Sequence, residues 1–227
     1  MNAVEKPGQP GTVAEGQVQH MFHADDKRAV IMEAALGVFA SRGFHTSTVD
    51  QVAEAAGVAK GTIYLYFKSK NELLDQLVEG RIARLAGMVR QAAAGAPDAC
   101  SKLRRIVAAH FDFYSTERRF MQLMAGQIGT LSPRFSATVL DGTRTLTAMV
   151  QDVLAQGIEE GSIVPAADAG TMAFALMGMV HAVAYRWLMS DTPQPPEEIA
   201  ADVYAMFASG LQAAGHGATH RAAHEPH

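Results

Sequence analysis

Residues 46–70 read TSTVDQVAEAAGVAKGTIYLYFKSK, and the punctuation of this stretch decides the architecture. Thr48-Val49-Asp50-Gln51 has the form of a capping box, in which the Thr hydroxyl and the Gln side chain satisfy free backbone donors at a helix start. Val49, Val52, Ala53 and Ala56 then recur at helical spacing and give one apolar face. Gly57 ends that helix as a residue at positive φ does, and Val58 follows as an apolar plug. A second helix is expected from Lys60 to Phe67, and Ser69-Lys70-Asn71-Glu72 has the form of another capping box, opening a third. Helix, glycine turn, helix is the pattern whose second member enters the DNA major groove.

At about 100° per residue, Ile63 and Phe67 share the inner face of the second helix, so Gly61, Thr62, Tyr64 and Leu65 look outward, with Tyr66 flanking. A glycine inside so short a helix costs roughly 1 kcal/mol relative to alanine, and close approach to another surface would account for Gly61. From Gly57 to Lys70 the charged residues are Lys60, Lys68 and Lys70, all positive, which suits phosphate contact.

The run GVAKGTIYLYFKSKNELL resembles the signature of the TetR/AcrR family of bacterial transcription regulators: turn glycine, Lys-Gly-Thr, the Tyr-x-Tyr-Phe run and the Ser-Lys cap stand at family spacing. The resemblance covers Lys27 to Leu77 and is architectural beyond that. One departure is Ala59, where many relatives carry a capping Ser; its absence weakens the helix start by about 1 kcal/mol. On this reading Lys60 reaches a base edge or a phosphate, Thr62 and Leu65 sense a thymine methyl, and Tyr64 touches a base or sugar. Gly61 gives the close approach. Tyr66 and Lys70 hold phosphates, and Thr46 and Thr48 hold a phosphate from the preceding helix. The bland alternative is that the tyrosines only pack and the lysines form a solvated face; the complete motif favours DNA.

The chain has 227 residues, 48% hydrophobic and 19% charged, enough for a sizeable core. Its formal net charge of -4 argues against a protein that coats nucleic acid generally, but a sequence-specific reader needs only a local basic face. A single cysteine, Cys100, excludes an intramolecular disulfide framework and fits a reducing cytoplasm. The N-terminus lacks the basic-then-apolar order of a signal peptide. Met172–Met189 is strongly apolar, but His181 and Arg186 within it favour a buried helix over a membrane span.

The expected organisation is all-α, with about nine helices and neither strands nor repeats. Residues 1–24, with scattered Pro and Gly, read as a flexible arm. Residues 25–70 form a three-helix unit whose first helix opens at Asp25 or Asp26, buries Val30, Ile31, Ala34, Ala35, Val38 and Phe39, and ends at Gly43. Residues 71–215 form a larger helical effector-binding and dimerisation domain. A long helix from Ser69 to Ala94 leads into it; the next runs Asp98–Ser115; Thr116 caps a short one to Ala125. Ser132-Pro133 opens one that reaches Glu160, Asp168–Ser190 is the apolar helix, and Pro196 starts a last one to Ala214. Residues 216–227 form a tail in which His216, His220, His224 and His227 could hold a metal; a disordered polar tail is preferred, so neither metal nor cofactor is expected.

The effector-pocket candidates are His110, Phe111, Tyr114, Phe120, Met121, Met124, Met149, Met177, His181, Tyr185 and Trp187: aromatic and adaptable apolar groups with a few polar ones. The competing reading makes each of them plain core. The resemblance implies a homodimer through the last two helices, where Ala175, Gly178, Ala182 and Ala184 allow close approach and Met177, Met179, Leu188, Met206, Phe207 and Leu211 supply apolar area. Two reading helices would then span half-sites of a palindromic operator on the order of 35 Å apart. No G-x-S-x-G, phosphate loop, H-E-x-x-H or supported Cys-His pair is present, so an enzyme is not expected. The function expected is a sequence-specific transcriptional regulator: a repressor released by a small, largely apolar ligand, with the long helix carrying a pendulum shift between sites. A DNA binder without a small-molecule effector, or an activator, stays open.

Overall fold

A computed structural model describes the backbone of residues 13–125, 133–190 and 194–217 and the side chains of residues 26–125, 137–190 and 194–210. Among the described residues there are nine helices and no strand. They are α1 (Val13–Arg42), α2 (Val49–Ala56), α3 (Lys60–Tyr66), α4 (Lys70–Ala94), α5 (Ala99–Thr116), α6 (Arg118–Ala125), α7 (Pro133–Glu159), α8 (Ala169–Leu188) and α9 (Pro196–Gly217). The chain divides into two units, Met1–Leu73 and Leu74–His227.

In the first unit α1 packs on α2, and α2 on α3. α1 begins at Val13, so the second half of the expected arm is helical; residues 13–24 carry Ala, Glu, Gln, Met and Val, which propagate a helix once Pro10 is passed. Residues 1–12 lie outside the described residues. The helix stops at Gly43, at φ 83°, whose N–H donates to the Phe39 carbonyl. Ile31, Ala35, Leu36, Val38 and Phe39 are buried on its inner side, and Phe44 meets Phe39 edge to face with ring centroids 5.2 Å apart. Val30, expected inside, is half in solvent, because the buried arc is narrower than its apolar positions imply.

The caps around α2 take the expected form. The Thr48 hydroxyl accepts from the Gln51 N–H, and the Gln51 side chain accepts from the Thr48 N–H at 3.0 Å. Gly57 closes the helix at φ 64°. Ala59, at the start of α3, makes no side-chain cap. At α4 the Ser69 hydroxyl accepts from the Glu72 N–H, while the Glu72 carboxylate accepts from the Lys68 N–H at 2.6 Å.

In the second unit α5 packs against α6, α7, α8 and α9, and α8 against α6, α7 and α9. Asp98 caps α5, accepting from the Ser101 N–H and hydroxyl, which hold its carboxyl below the usual range. Thr116, expected to cap α6, belongs to α5: its hydroxyl donates back to the Asp112 and Phe113 carbonyls, the local bond by which threonine ends a helix instead of starting one. Glycines let α7 come close to its neighbours: a Cβ at Gly142 would sit 2.6 Å from Ile82 of α4, and one at Gly157 would sit 2.6 Å from Ile163 and 2.7 Å from Ala99 of α5. Glu117, buried between α5 and α6, receives Arg81 at 3.2 Å and Arg84, both from α4.

Candidate nucleic-acid interface and effector site

α3 is held from beneath. Ile63 is 1% exposed, as is Phe67, which follows the helix and donates its N–H to the Ile63 carbonyl; the Arg28 guanidinium lies 5.9 Å from the Phe67 ring centroid. The outer side of α3 is left to water. Leu65 is 83% exposed and Tyr64 48%. Gly61 is exposed, and a Cβ built there would meet nothing within 4 Å. Folding therefore places no demand for glycine at 61 or leucine at 65. Thr62 and Tyr66 are half-buried, with the Tyr66 ring 6.4 Å from Phe67.

The cationic and hydroxyl candidates are more occupied than their positions predict. Lys60 is exposed, but its ammonium sits 2.9 Å from Asp50, which raises its pKa; both partners are open to solvent, so DNA can compete for the ammonium. The Lys70 Nζ donates to the Phe44 and Ser47 carbonyls at 2.7 Å each and lies 4.5 Å from the Phe44 ring centroid. It staples the α1–α2 turn, and burial lowers its pKa. The Thr46 hydroxyl donates to the Arg42 and Gly43 carbonyls, and the Thr48 hydroxyl serves the cap. Lys68, counted with Lys60 and Lys70 among the charges that suit phosphate contact, is exposed beside α3. Asp50 as the partner of Lys60 was likewise missed; ten residues of separation hide it.

In the second unit His110, Phe111, Tyr114, Phe120, Met177 and Trp187 are buried, and Met121, Met124 and Met149 half-buried. Edge-to-face contacts chain four of them together: His110–Tyr114 and Tyr114–Phe111 with centroids 6.1 Å apart, and Phe111–Trp187 at 5.9 Å. Phe120 joins through Phe113, a buried ring the sequence reading passed over because it lies at the margin of the apolar arc of α5. The Trp187 indole N–H donates to the Gln194 carbonyl at 2.7 Å. Burial holds His110 down at about 4, against a weaker upward pull from the Ile106 carbonyl, and nearby His181 lowers it further. Burial also raises the Tyr114 hydroxyl.

His181 and Tyr185 fall on a different side of α8. Phe174 (75% exposed), Ala175, Gly178, His181, Ala182, Tyr185 and Met189 form an exposed, largely apolar stripe, with Met206 of α9 also exposed. Of the residues expected to supply interface area, Met177, Leu188, Phe207 and Ala184 are buried within the unit and Met179 is half-buried; the side chain of Leu211 lies outside the described residues. Arg186 is exposed, so water solvates its charge. A cavity of about 150 Å³ lies elsewhere, lined by Cys100, Leu103, Ser162–Val164, Tyr204, Phe207 and Ala208; no sequence-assigned effector residue borders it. Among the described residues no helix is long and apolar enough to cross a membrane, and no group of three His, Cys, Asp or Glu could hold a metal. Of the tail, His216 falls in the backbone of α9, and His220, His224 and His227 lie outside the described residues.

The profile of bacterial regulatory proteins of the tetR family matches residues 31–77, and that of tetracyclin repressor-like C-terminal domains matches residues 96–211. The chain belongs to the TetR family. It is thus a DNA-binding transcriptional regulator with an N-terminal helix-turn-helix and a helical C-terminal domain. This TetR-family chain is 29% identical over 192 residues to the HTH-type transcriptional activator FasR of Mycolicibacterium smegmatis, covering 85% of this chain and 86% of that one. Its fold is similar to that of the fatty acid degradation regulator FadR of Bacillus halodurans, with TM-score 0.75, 25% identity and coverage of 82% and 96%. It is also similar to FadR of Bacillus subtilis, solved in complex with stearoyl-CoA, with TM-score 0.74, 23% identity and coverage of 81% and 98%.

Proposed function

We propose that this TetR-family regulator binds a palindromic operator as a homodimer, laying the Gly61–Leu65 side of α3 against base-pair edges, and leaves it when a fatty-acyl ligand such as a long-chain acyl-CoA enters the second unit. One observation carries the DNA part: a helix of seven residues exposes Leu65 and Tyr64 and keeps a glycine where nothing in the protein requires one. Apolar groups left in water on a short, well-held helix fit a thymine methyl or a sugar, and the bare backbone at Gly61 permits the approach. Lys60 exchanges Asp50 for the DNA, and Lys68 adds charge against phosphate.

The exposed stripe of α8, together with Met206, supplies the partner surface, because a self-complementary face on two packed helices suits a two-fold dimer. The acyl ligand follows from the connected aromatic set on α5 and α8 and from the fatty-acid regulators this chain resembles. α4 begins in the first unit, continues in the second, and is tied by Arg81 and Arg84 to Glu117, which makes it the element to carry a shift. Such coupling amounts to about 1–3 kcal/mol. Control is repression where the operator overlaps a promoter. The test is fluorescence anisotropy of the DNA upstream of the gene with and without stearoyl-CoA. Salt-sensitive binding that beats random competitor and weakens at least fivefold with ligand supports the reading. Specific binding indifferent to every acyl-CoA removes the effector, and no specific binding removes the whole.

A further inference from the structure

His110 is the least explained polar group in the second unit. It is fully buried on α5, and its Nδ1 lies 2.8 Å from the Ile106 carbonyl oxygen. A carbonyl only accepts, so Nδ1 carries the proton and donates. The neutral ring then offers a lone pair at Nε2. No hydrogen-bond partner meets that nitrogen among the described residues. Around it stand the ring of Tyr114, 6.1 Å between centroids, with Phe111 and Trp187 beyond. A buried acceptor left bare is unfavourable in an apolar setting, and such groups in native proteins have a reason.

We infer that His110 Nε2 is the polar anchor of the effector site, and that it selects ligands carrying a neutral hydrogen-bond donor, a hydroxyl or an amide N–H, on an apolar body. This rests on the reading of the second unit as an effector domain. A donor meeting Nε2 pairs the lone pair that folding left open. An ether of the same length puts oxygen lone pairs against the nitrogen lone pair, and a carboxylate adds a buried charge. The site therefore discriminates by the presence of a proton on the ligand, in the manner of binding sites that reject an analogue lacking one hydroxyl.

The test uses the full chain, the fluorescence of its single tryptophan, Trp187, which packs on Phe111, and three probes: 1-dodecanol, its isomer undecyl methyl ether, and dodecanoate. The alcohol is expected to bind about tenfold or more tighter than the ether, with dodecanoate weakest. His110→Phe keeps an aromatic ring and should bring the alcohol-to-ether ratio to about one. His110→Gln, which offers both a donor and an acceptor, should recover part of the alcohol affinity while admitting the ether. Equal binding of alcohol and ether to the unaltered protein overturns the inference without needing any variant. If stearoyl-CoA still releases DNA in that case, the effector reading stands and only the role of His110 falls; if neither the probes nor stearoyl-CoA binds, both fall.

Discussion

α3 and α5 treat the same kinds of side chain in opposite ways. α3 has seven residues and buries one, Ile63, leaving Tyr64 and Leu65 to water. α5 has 18 residues and buries nine, among them Phe111, Phe113, Tyr114 and His110. A two-turn helix cannot stabilise itself, so α3 depends on Ile63, on Phe67 and on the caps that flank it. Its outer residues are consequently free of folding duty. On α5 any residue that would touch an effector is also a residue the fold needs. Function and stability are separable on the first helix and entangled on the second.

The largest effect should come from Phe111→Ala. Removing a fully buried ring costs about 3–5 kcal/mol, read by urea unfolding, whereas Leu65→Ala should change stability by no more than about 0.5 kcal/mol. Comparable losses for the two would erase the contrast. Next is a pH effect. His110 is held at about 4 in the folded chain against 6.5 ordinarily. Between those values the unfolded chain binds the proton and the folded one does not, so stability rises with pH. The contribution is complete above pH 6.5 and lost as pH falls toward 4, about 3 kcal/mol in all. The readout is the difference between the unaltered protein and His110→Phe, which should be flatter in this range. Parallel pH profiles would mean that the ring is not buried neutral.

Smaller, and aimed at the first unit, is Lys70→Ala. With its ammonium on the carbonyls of Phe44 and Ser47, the loss should be about 2 kcal/mol of stability, seen in thermal melts. Lys68→Ala should leave the melt unchanged and flatten the salt dependence of DNA binding by about one unit. If Lys70→Ala instead melts normally and loses only DNA affinity, the staple is wrong.

What the sequence made legible is what short-range chemistry writes. The Thr48–Gln51 box, the turn at Gly57, the bare start at Ala59 and the outward turn of Gly61, Tyr64 and Leu65 all follow from neighbours within four residues. The second duty of Lys70 was not legible, because the carbonyls it donates to lie 23 and 26 residues away, beyond the reach of local pattern. α8 defeated periodicity for another reason: it is apolar on every side, so Met177 and Leu188, buried, could not be told from Phe174, which stands in water. Among the effector candidates, Phe111 and Tyr114 join into one cluster while Tyr185 turns outward, and spacing along a helix does not distinguish pocket from core.

We assign the outer face of α3 to DNA, with no part of it owed to the fold. Gly61→Ala tests this assignment most directly, through operator affinity by anisotropy beside a thermal melt. Because the added methyl meets open space and alanine favours helix by up to about 1 kcal/mol, the variant should fold as well as or better than the parent. Its specific affinity should fall at least tenfold, as the methyl intrudes where the backbone approaches the duplex. A variant that melts no lower and binds the operator as tightly as the parent would contradict the account.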